Sequence, residues 1–530
     1  MHDPRVPPDD ECVLRALLDK RAAAQGDAPF VVFEDGRTWS YAETARLVRG
    51  TAAAFAKLGL RQGERVLAWM QNGPDLLRLW LAANYMGLVF VPINTSYRGR
   101  PLGHVITDAR AAVMLAEGAF LDRLGSVEHG MLRTVVVFGE GRADGIENRP
   151  ASVLDPIDEP APELSPSLRP WDAQLIHYTS GTTGPSKGVV VSYLHLYSMA
   201  EGGMYFAGRS DRFMVNLPLF HIGGTMYVYG ALMMSGSISL PVRYRTETFW
   251  ETVRATGTTS CLLLGSIADF LLKQPASPDD RRHRLKNIAI IPYTKSAGDF
   301  ASRFGVSVFT FFDMTEISAP LASGPDPLPF GTCGRVRPGY DVRIVDEFDR
   351  EVPIGAIGEL IVRCDRPWAA SSGYFEAPAA TAAAWRNGWF HTGDAFRRDG
   401  NGNYFFVDRI KDTIRRRGEN ISSLDIETEV IGHPDVQEAA AIGVPSEYSE
   451  EEVMLVVAPK PGRRLAPADL AAFLAEKLPP FMVPRYVRVL DQLPRTETNK
   501  VRKRELRAEG VVAGTWDRLS HQRMEARPSR

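Results

Sequence analysis

The spacing of apolar positions changes period several times along the chain, and each change marks an element. Cys12–Leu18 has helical spacing, and Phe30–Phe33 and Arg37–Ser40 read as two strands joined by the turn Glu34-Asp35-Gly36. Ser40-Tyr41-Ala42-Glu43 is a capping box, which predicts a helix with Ala45, Leu47, Val48, Ala52 and Phe55 on its apolar side. Arg65–Ala68 and Leu88–Pro92 are short β-rich runs with the apolar segment Leu76–Tyr85 between them, an alternation that predicts an α/β unit. The Pro-rich, acidic stretch Asp155–Pro170 predicts a loop. Leu175–Tyr178 and Gly188–Val191 follow as strands.

Further on, Phe213–His221 leads into the apolar segment Gly223–Met234, and Ser260–Gly265 is another β-run. Val306–Phe312 predicts one strand running straight into Asp313-Met314-Thr315-Glu316; polar residues where a buried strand ends are what a ligand site in an open α/β sheet requires. From Gly334 short strands and tight turns predict a β-subdomain, with Asp399-Gly400-Asn401-Gly402 as a hairpin turn and Tyr404–Val407 as its return strand. Beyond Asp408–Asp412 a smaller domain is expected, with a strand at Val453–Val457 and a helix after Pro467 that buries Leu470, Phe473, Leu474 and Leu478. No pattern is legible from about Arg507 onward.

At 530 residues the chain is too long for one core. A formal net charge of -2 gives no electrostatic case for nucleic-acid binding. No apolar run is long enough to cross a bilayer, and the polar start Met1-His2-Asp3 is unlike a signal peptide. Cys12, Cys261, Cys333 and Cys364 lack metal-ligand spacing, so free thiols in a cytoplasmic setting are expected.

Candidate chemistry centres on the stretch from Thr179 to Gly188. Thr179, Ser180, Gly181, Thr182, Thr183, Gly184 and Lys187 combine hydroxyl donors, backbone freedom and a positive charge, which is what an anion cradle needs. It is not a Walker A loop, because Lys187 is followed by a strand rather than a helix.

With this stretch go Phe312-Asp313-Met314-Thr315-Glu316, Gly388-Trp389-Phe390-His391-Thr392-Gly393-Asp394, Asp408-Arg409-Ile410-Lys411 and Pro494–Lys500, in that order. The set resembles the adenylate-forming superfamily over roughly residues 12–506, and its acyl-CoA synthetase members in particular. Arg416–Ser422 and Thr515–Arg518 resemble the crotonobetaine/carnitine-CoA ligase-like branch. The resemblance implies an α/β fold: a large N-terminal domain, 1–410, of α/β subdomains plus a β-subdomain, and a small mobile α+β C-terminal domain, 411–530. It implies an acid:CoA ligase that uses ATP and Mg2+, passes through an acyl-adenylate and has coenzyme A as acceptor. Thr179–Gly188 would hold the β- and γ-phosphates, Thr315 a phosphate, Glu316 and Thr179 the metal, Phe312 and Asp313 the adenine side, Asp394 and Arg409 the ribose. Lys500 would act in adenylation, Lys411 would be the hinge, and Arg417, Gly418 and Glu419 would face coenzyme A.

His221 stands where amino-acid-activating relatives carry an Asp against the substrate's ammonium group, which implies a carboxylate without an α-amino group. Met226, Tyr227, Leu264, Gly265, Phe309 and Met314 would line the acid pocket with it. The chain departs from the family pattern at Asp313 and Asn499, where glycines are usual, and at Pro292–Gly298, where the adenine-contacting segment is not recognisable. Those departures keep a second acceptor chemistry open: activation of nitrite for diazotisation of an arylamine, or transfer to an amine or carrier protein. A catalytically silent nucleotide-binding scaffold is the third possibility. Partners are otherwise expected to be small molecules, and the protein a monomer or homodimer.

Overall fold

A computed structural model describes the chain apart from residues 1–2, 180–185, 326–327, 411, 413, 417–418, 447–450, 479, 497–499 and 521–530. The chain parts into two compact units. The larger takes Met1–Val342, Val362–Phe390 and Asn401–Tyr404; the smaller takes Arg343–Ile361, His391–Gly400 and Phe405–Arg530.

Two seven-stranded sheets form the frame of the larger unit. The first is ordered Glu147–Pro150, Thr134–Phe138, Val113–Glu117, Arg65–Trp69, Val89–Pro92, Ala173–Thr179, Lys187–Ser192. All neighbours run parallel except the last pair, which is an antiparallel hairpin. The expected α/β unit is present: helix Pro74–Tyr85 connects the parallel strands Arg65–Trp69 and Val89–Pro92.

The second sheet carries Ser307–Phe309, Asn287–Ile291, Ser260–Leu264, Arg212–Met214, Ser237–Leu240, Pro29–Phe33 and Thr38–Ser40, parallel but for the final antiparallel pair. The serine half of the capping box forms: Ser40 Oγ accepts from the Glu43 N–H at 3.1 Å and opens helix Tyr41–Lys57, while the Glu43 carboxylate pairs with Arg46. The first predicted helix is split instead, Asp9–Cys12 and Leu14–Gln25, because Val13 takes an extended backbone between them.

The strand expected over Val306–Phe312 is also divided. Ser307–Phe309 closes the second sheet, whereas Phe311–Met314 pairs antiparallel with Ser318–Ala322. Thr310 is the corner, its N–H donating to Ser323 Oγ and its carbonyl accepting from the Ser323 N–H. An unbroken apolar run cannot announce a turn held by a serine thirteen residues away.

In the smaller unit, Val436–Pro445, Glu451–Pro459, Tyr486–Val489 and Trp516–Asp517 form a four-stranded sheet. Leu470 and Leu474 of helix Pro467–Ala475 are fully buried against it, as their spacing predicts. Within the segment that shows no legible pattern, the described residues hold the end of helix Lys503–Glu509 and the strand Trp516–Asp517, which adds the fourth strand, with Asp517 paired to Arg485 at 3.3 Å. Two-residue strands carry no periodicity, so only the neighbouring edge explains this one.

Candidate functional site

The cradle grows from the hairpin at the edge of the first sheet, where Thr179 lies directly opposite Lys187. Ser180, Gly181, Thr182, Thr183 and Gly184 lie outside the described residues. The base is rigid: the Tyr178 hydroxyl donates to Asp108 at 2.6 Å, and His104 Nε2 is 2.8 Å from the Ser186 carbonyl. His177, inside the same strand, is fully buried with Nδ1 3.2 Å from the Phe220 carbonyl and Nε2 3.1 Å from Thr225 Oγ1. A carbonyl only accepts, so Nδ1 carries the proton, while Nε2 sits beside a threonine hydroxyl that also lies 3.2 Å from the Ile222 carbonyl. Burial, then His221, push its pKa down to about 3.

Tertiary pairing completes this corner with a residue that sequence reasoning missed. The segment Ser371–Phe375 runs beside the lysine strand, with Val190 N–H donating to the Gly373 carbonyl and Phe375 N–H to the Gly188 carbonyl. Tyr374 is thereby set beside Lys187, whose Nζ is 4.9 Å from its ring centroid, and its hydroxyl donates to Glu316 at 3.0 Å. Burial first and Glu316 second hold the Tyr374 phenol well above its ordinary pKa, so it stays a donor. Only a tyrosine flanked by Gly373 and Phe375 marks the place, and nothing in that pattern distinguishes it from a loop residue.

Thr315 and Glu316 occupy the tight turn between the antiparallel strands Phe311–Met314 and Ser318–Ala322. Glu316 is buried, and its carbonyl accepts from the Ser371 N–H at 2.8 Å, so the same segment that delivers Tyr374 holds the turn. Phe312 and Asp313 are half-buried on the strand before it.

His221 caps helix Ile222–Met234: its Nδ1 accepts from the Gly223 N–H at 3.1 Å, which leaves Nε2 as the protonated nitrogen of the neutral ring. Along that helix Tyr227 is fully buried, and Met226 packs toward Gly203, where a Cβ would lie 2.5 Å from its sulfur. Leu264 and Gly265 end the strand Ser260–Leu264 and begin the next helix; a Cβ on Gly265 would lie 2.6 Å from Thr294 Cγ2 and 2.9 Å from the Pro292 carbonyl. Phe309 and Met314 are half-buried.

In the smaller unit, Asp394 and Arg409 are brought together from two strands, Arg409 Nε lying 3.2 Å from Asp394 Oδ1. Asp394 is only 2% exposed. Gly393 takes a φ of 70°, its N–H donates to Glu359, and its carbonyl accepts from Ile410. Lys411, Arg417 and Gly418 lie outside the described residues, and Glu419 begins the return strand of the ribbon Ile414–Arg416/Glu419–Ile421. Residues flanking Lys411 are pinned: Asp408 accepts from the Ser423 N–H at 2.8 Å, and Asp412 pairs with Arg507 at 2.6 Å. Lys500 is exposed; the Thr496 N–H donates to the Lys500 carbonyl at 2.6 Å and the Lys500 N–H to Thr496 Oγ1 at 3.0 Å, while Asn499 lies outside the described residues.

The family model of AMP-binding enzymes matches residues 18–375, and that of the AMP-binding enzyme C-terminal domain matches residues 425–500. The chain belongs to the AMP-binding enzymes. This AMP-binding enzyme is 29% identical over 514 residues to the crotonobetaine/carnitine-CoA ligase of Salmonella agona, covering 93% of this chain and 98% of that one. Its structure is similar to ATP-bound MatB from Rhodopseudomonas palustris, with a TM-score of 0.80, 26% identity and coverage of 94% and 98%. The benzoate CoA ligase of Burkholderia xenovorans LB400 shares the fold at a TM-score of 0.81, 22% identity and coverage of 93% and 99%. An α/β architecture with a large N-terminal domain and a small C-terminal domain is the family's, and among the described residues no helix is long and apolar enough to cross a membrane.

Proposed function

We propose that this AMP-binding enzyme is an acid:coenzyme A ligase. A carboxylate oxygen attacks the α-phosphorus of ATP, pyrophosphate leaves, and the thiol of coenzyme A then displaces AMP from the acyl-adenylate. The observation that carries the reading is the corner in which Tyr374 links Lys187 and Glu316. Cation, donor and carboxylate at one strand edge suit a triphosphate and its counter-ion, and little else.

In this reading Lys187 offsets the charge of the β- and γ-phosphates, and Thr179 and Thr315 add hydroxyl donors. Glu316, a buried carboxylate with Tyr374 as neighbour, fits Mg2+, which takes one or two protein carboxylates and completes its shell with phosphate and water. When bound, the metal neutralises charge on the departing pyrophosphate. Asp394 receives both ribose hydroxyls, a bidentate role that a carboxylate held by Arg409 is shaped for. His221, fixed with Nε2 protonated, offers an N–H to the substrate carboxylate. Lys500, on its exposed turn, is delivered by the C-terminal domain about Lys411 to stabilise the charge that develops during adenylation. A cytoplasmic location accords with four free cysteines.

Incubation with ATP, Mg2+, coenzyme A and a panel of carboxylates, read by mass spectrometry, tests the reading. Formation of an acyl-CoA together with AMP and pyrophosphate is expected for at least one acid. AMP appearing only with nitrite and an arylamine, and no acyl-CoA from any acid, would transfer the site to diazotisation.

A further inference from the structure

The helix Lys503–Glu509 begins three residues after Lys500 and is fastened on two of its faces. One face is apolar. Leu506 is buried in the same cluster as Ile442, Val444 and Leu493, so the chain leaves that cluster at Leu493 to carry Lys500 and returns to it at Leu506. Backbone contacts close the base of this excursion, with Arg495 bridged to Val501 and the Arg502 N–H donating to the Pro494 carbonyl at 2.8 Å. Where the helix goes, the base that carries Lys500 goes with it.

Lys503 and Arg507 are four residues apart and share a second face. Lys503 Nζ lies 2.7 Å from Glu427 Oε1 and also donates to Ser423 Oγ, both on the helix Ser423–Ile431. Arg507 Nη1 lies 2.6 Å from Asp412 Oδ1, with both side chains half-buried. Asp412 directly follows Lys411 and stands 95 positions before its partner. On the other side of Lys411, Asp408 accepts from the Ser423 N–H and hydroxyl. These two carboxylates differ in kind. The Asp408–Ser423 contact spans Lys411, so rotation about Lys411 works against it. The Asp412–Arg507 contact lies wholly beyond Lys411 and is carried by the rotation. Rotation at one point places a distant group accurately only where the chain leaving that point is fixed to the element that bears the group.

We propose that Asp412 and Arg507 are positioning residues for adenylation: their ion pair ties the helix after Lys500 to the residue after Lys411, so that rotation about Lys411 presents Lys500 in one place. The inference rests on the roles given to Lys411 and Lys500 in the proposed function, and adds the link through which the first acts on the second. A partly exposed ion pair contributes little to stability, which makes placement the property to measure.

Two half-reactions separate placement from general damage. Acid-dependent ATP–pyrophosphate exchange reads adenylation, run with the best-used acid of a panel that includes benzoate, crotonobetaine and carnitine. Transfer to coenzyme A from the synthetic adenylate of that acid reads the second step, in which Lys500 is assigned no part. Arg507→Ala should lower exchange about tenfold, within the loss of up to about 100-fold that a misplacement of about 1 Å brings, and change transfer by less than about twofold. Asp412→Asn should do the same. Because the pair acts through Lys500, adding Arg507→Ala to Lys500→Ala should lower exchange no further. Arg507→Lys keeps a cation beside Asp412 and should retain most of the exchange, since the contact is made through a single nitrogen. Should Arg507→Ala not fold, as read by urea unfolding, Asp412→Asn and Arg507→Lys carry the same comparison. Equal loss in both half-reactions, loss in neither, or a further loss on top of Lys500→Ala overturns the inference and leaves the adenylation reading in place. A wild type that exchanges with no acid of the panel overturns that reading and this inference with it.

Discussion

The two lysines assigned to ATP sit in opposite kinds of structure. Lys187 lies on an edge strand, beside a tyrosine 187 residues away in the chain, and its surroundings depend on the pairing of Gly188–Val190 with Ser371–Phe375. Lys500 lies on an exposed turn whose hydrogen bonds reach back four residues. Under the proposed function, a preorganised corner and a locally built turn would divide the labour: one would hold charge that is present throughout, the other would meet charge only as it develops.

The difference is broken most directly at the turn. Lys500→Ala should lower carboxylate-dependent ATP–pyrophosphate exchange by about 100- to 1,000-fold, the scale for losing one transition-state charge contact, with thermal stability unchanged. Loss of stability together with activity would show that the turn is structural.

At the corner, Tyr374→Phe should cost both function and fold. Exchange is expected to fall roughly tenfold as Glu316 loses a donor, and stability to fall by about 1 kcal/mol, read from denaturant unfolding. An unchanged exchange rate would remove Tyr374 from the site.

Acid sharpens the same contrast through His177, whose strand enters the loop. Its pKa is depressed to about 3 from 6.5, so the neutral ring is fully tolerated above pH 6.5 and the unfolded chain takes up the proton first as pH falls. Stability should decline between pH 6.5 and 3 with a slope of roughly 1 kcal/mol per pH unit from this residue. A His177→Asn variant should show a shallower decline in the same urea series, and an identical slope would contradict the assignment.

The smallest effect belongs to a feature that is local but remote from the site. Ser40→Ala removes the helix cap and should cost about 1 kcal/mol in unfolding with exchange unaltered. A large drop in exchange would mean that the cap at the edge of the second sheet is coupled to the site.

Local signals were legible wherever one short segment decides its own conformation. The Ser40 cap, the strand–helix–strand unit over Arg65–Pro92 and the helix after Pro467 follow from spacing and capping chemistry. The break at Thr310, the strand Trp516–Asp517 and the role of Tyr374 did not, because each is imposed by a partner elsewhere: Ser323, the edge at Tyr486–Val489, and Glu316 with Lys187.

The sequence by itself determined the family, since the hydroxyl-rich loop, Thr315-Glu316, Asp394 and Lys500 stand in one order along the chain. Tertiary structure alone decided which side chains share a corner, which nitrogen of His221 and His177 carries the proton, and that Arg507 meets Asp412. Residue type fixes what a group can do. Burial and partners, which depend on segments far apart in the chain, fix what it is asked to do.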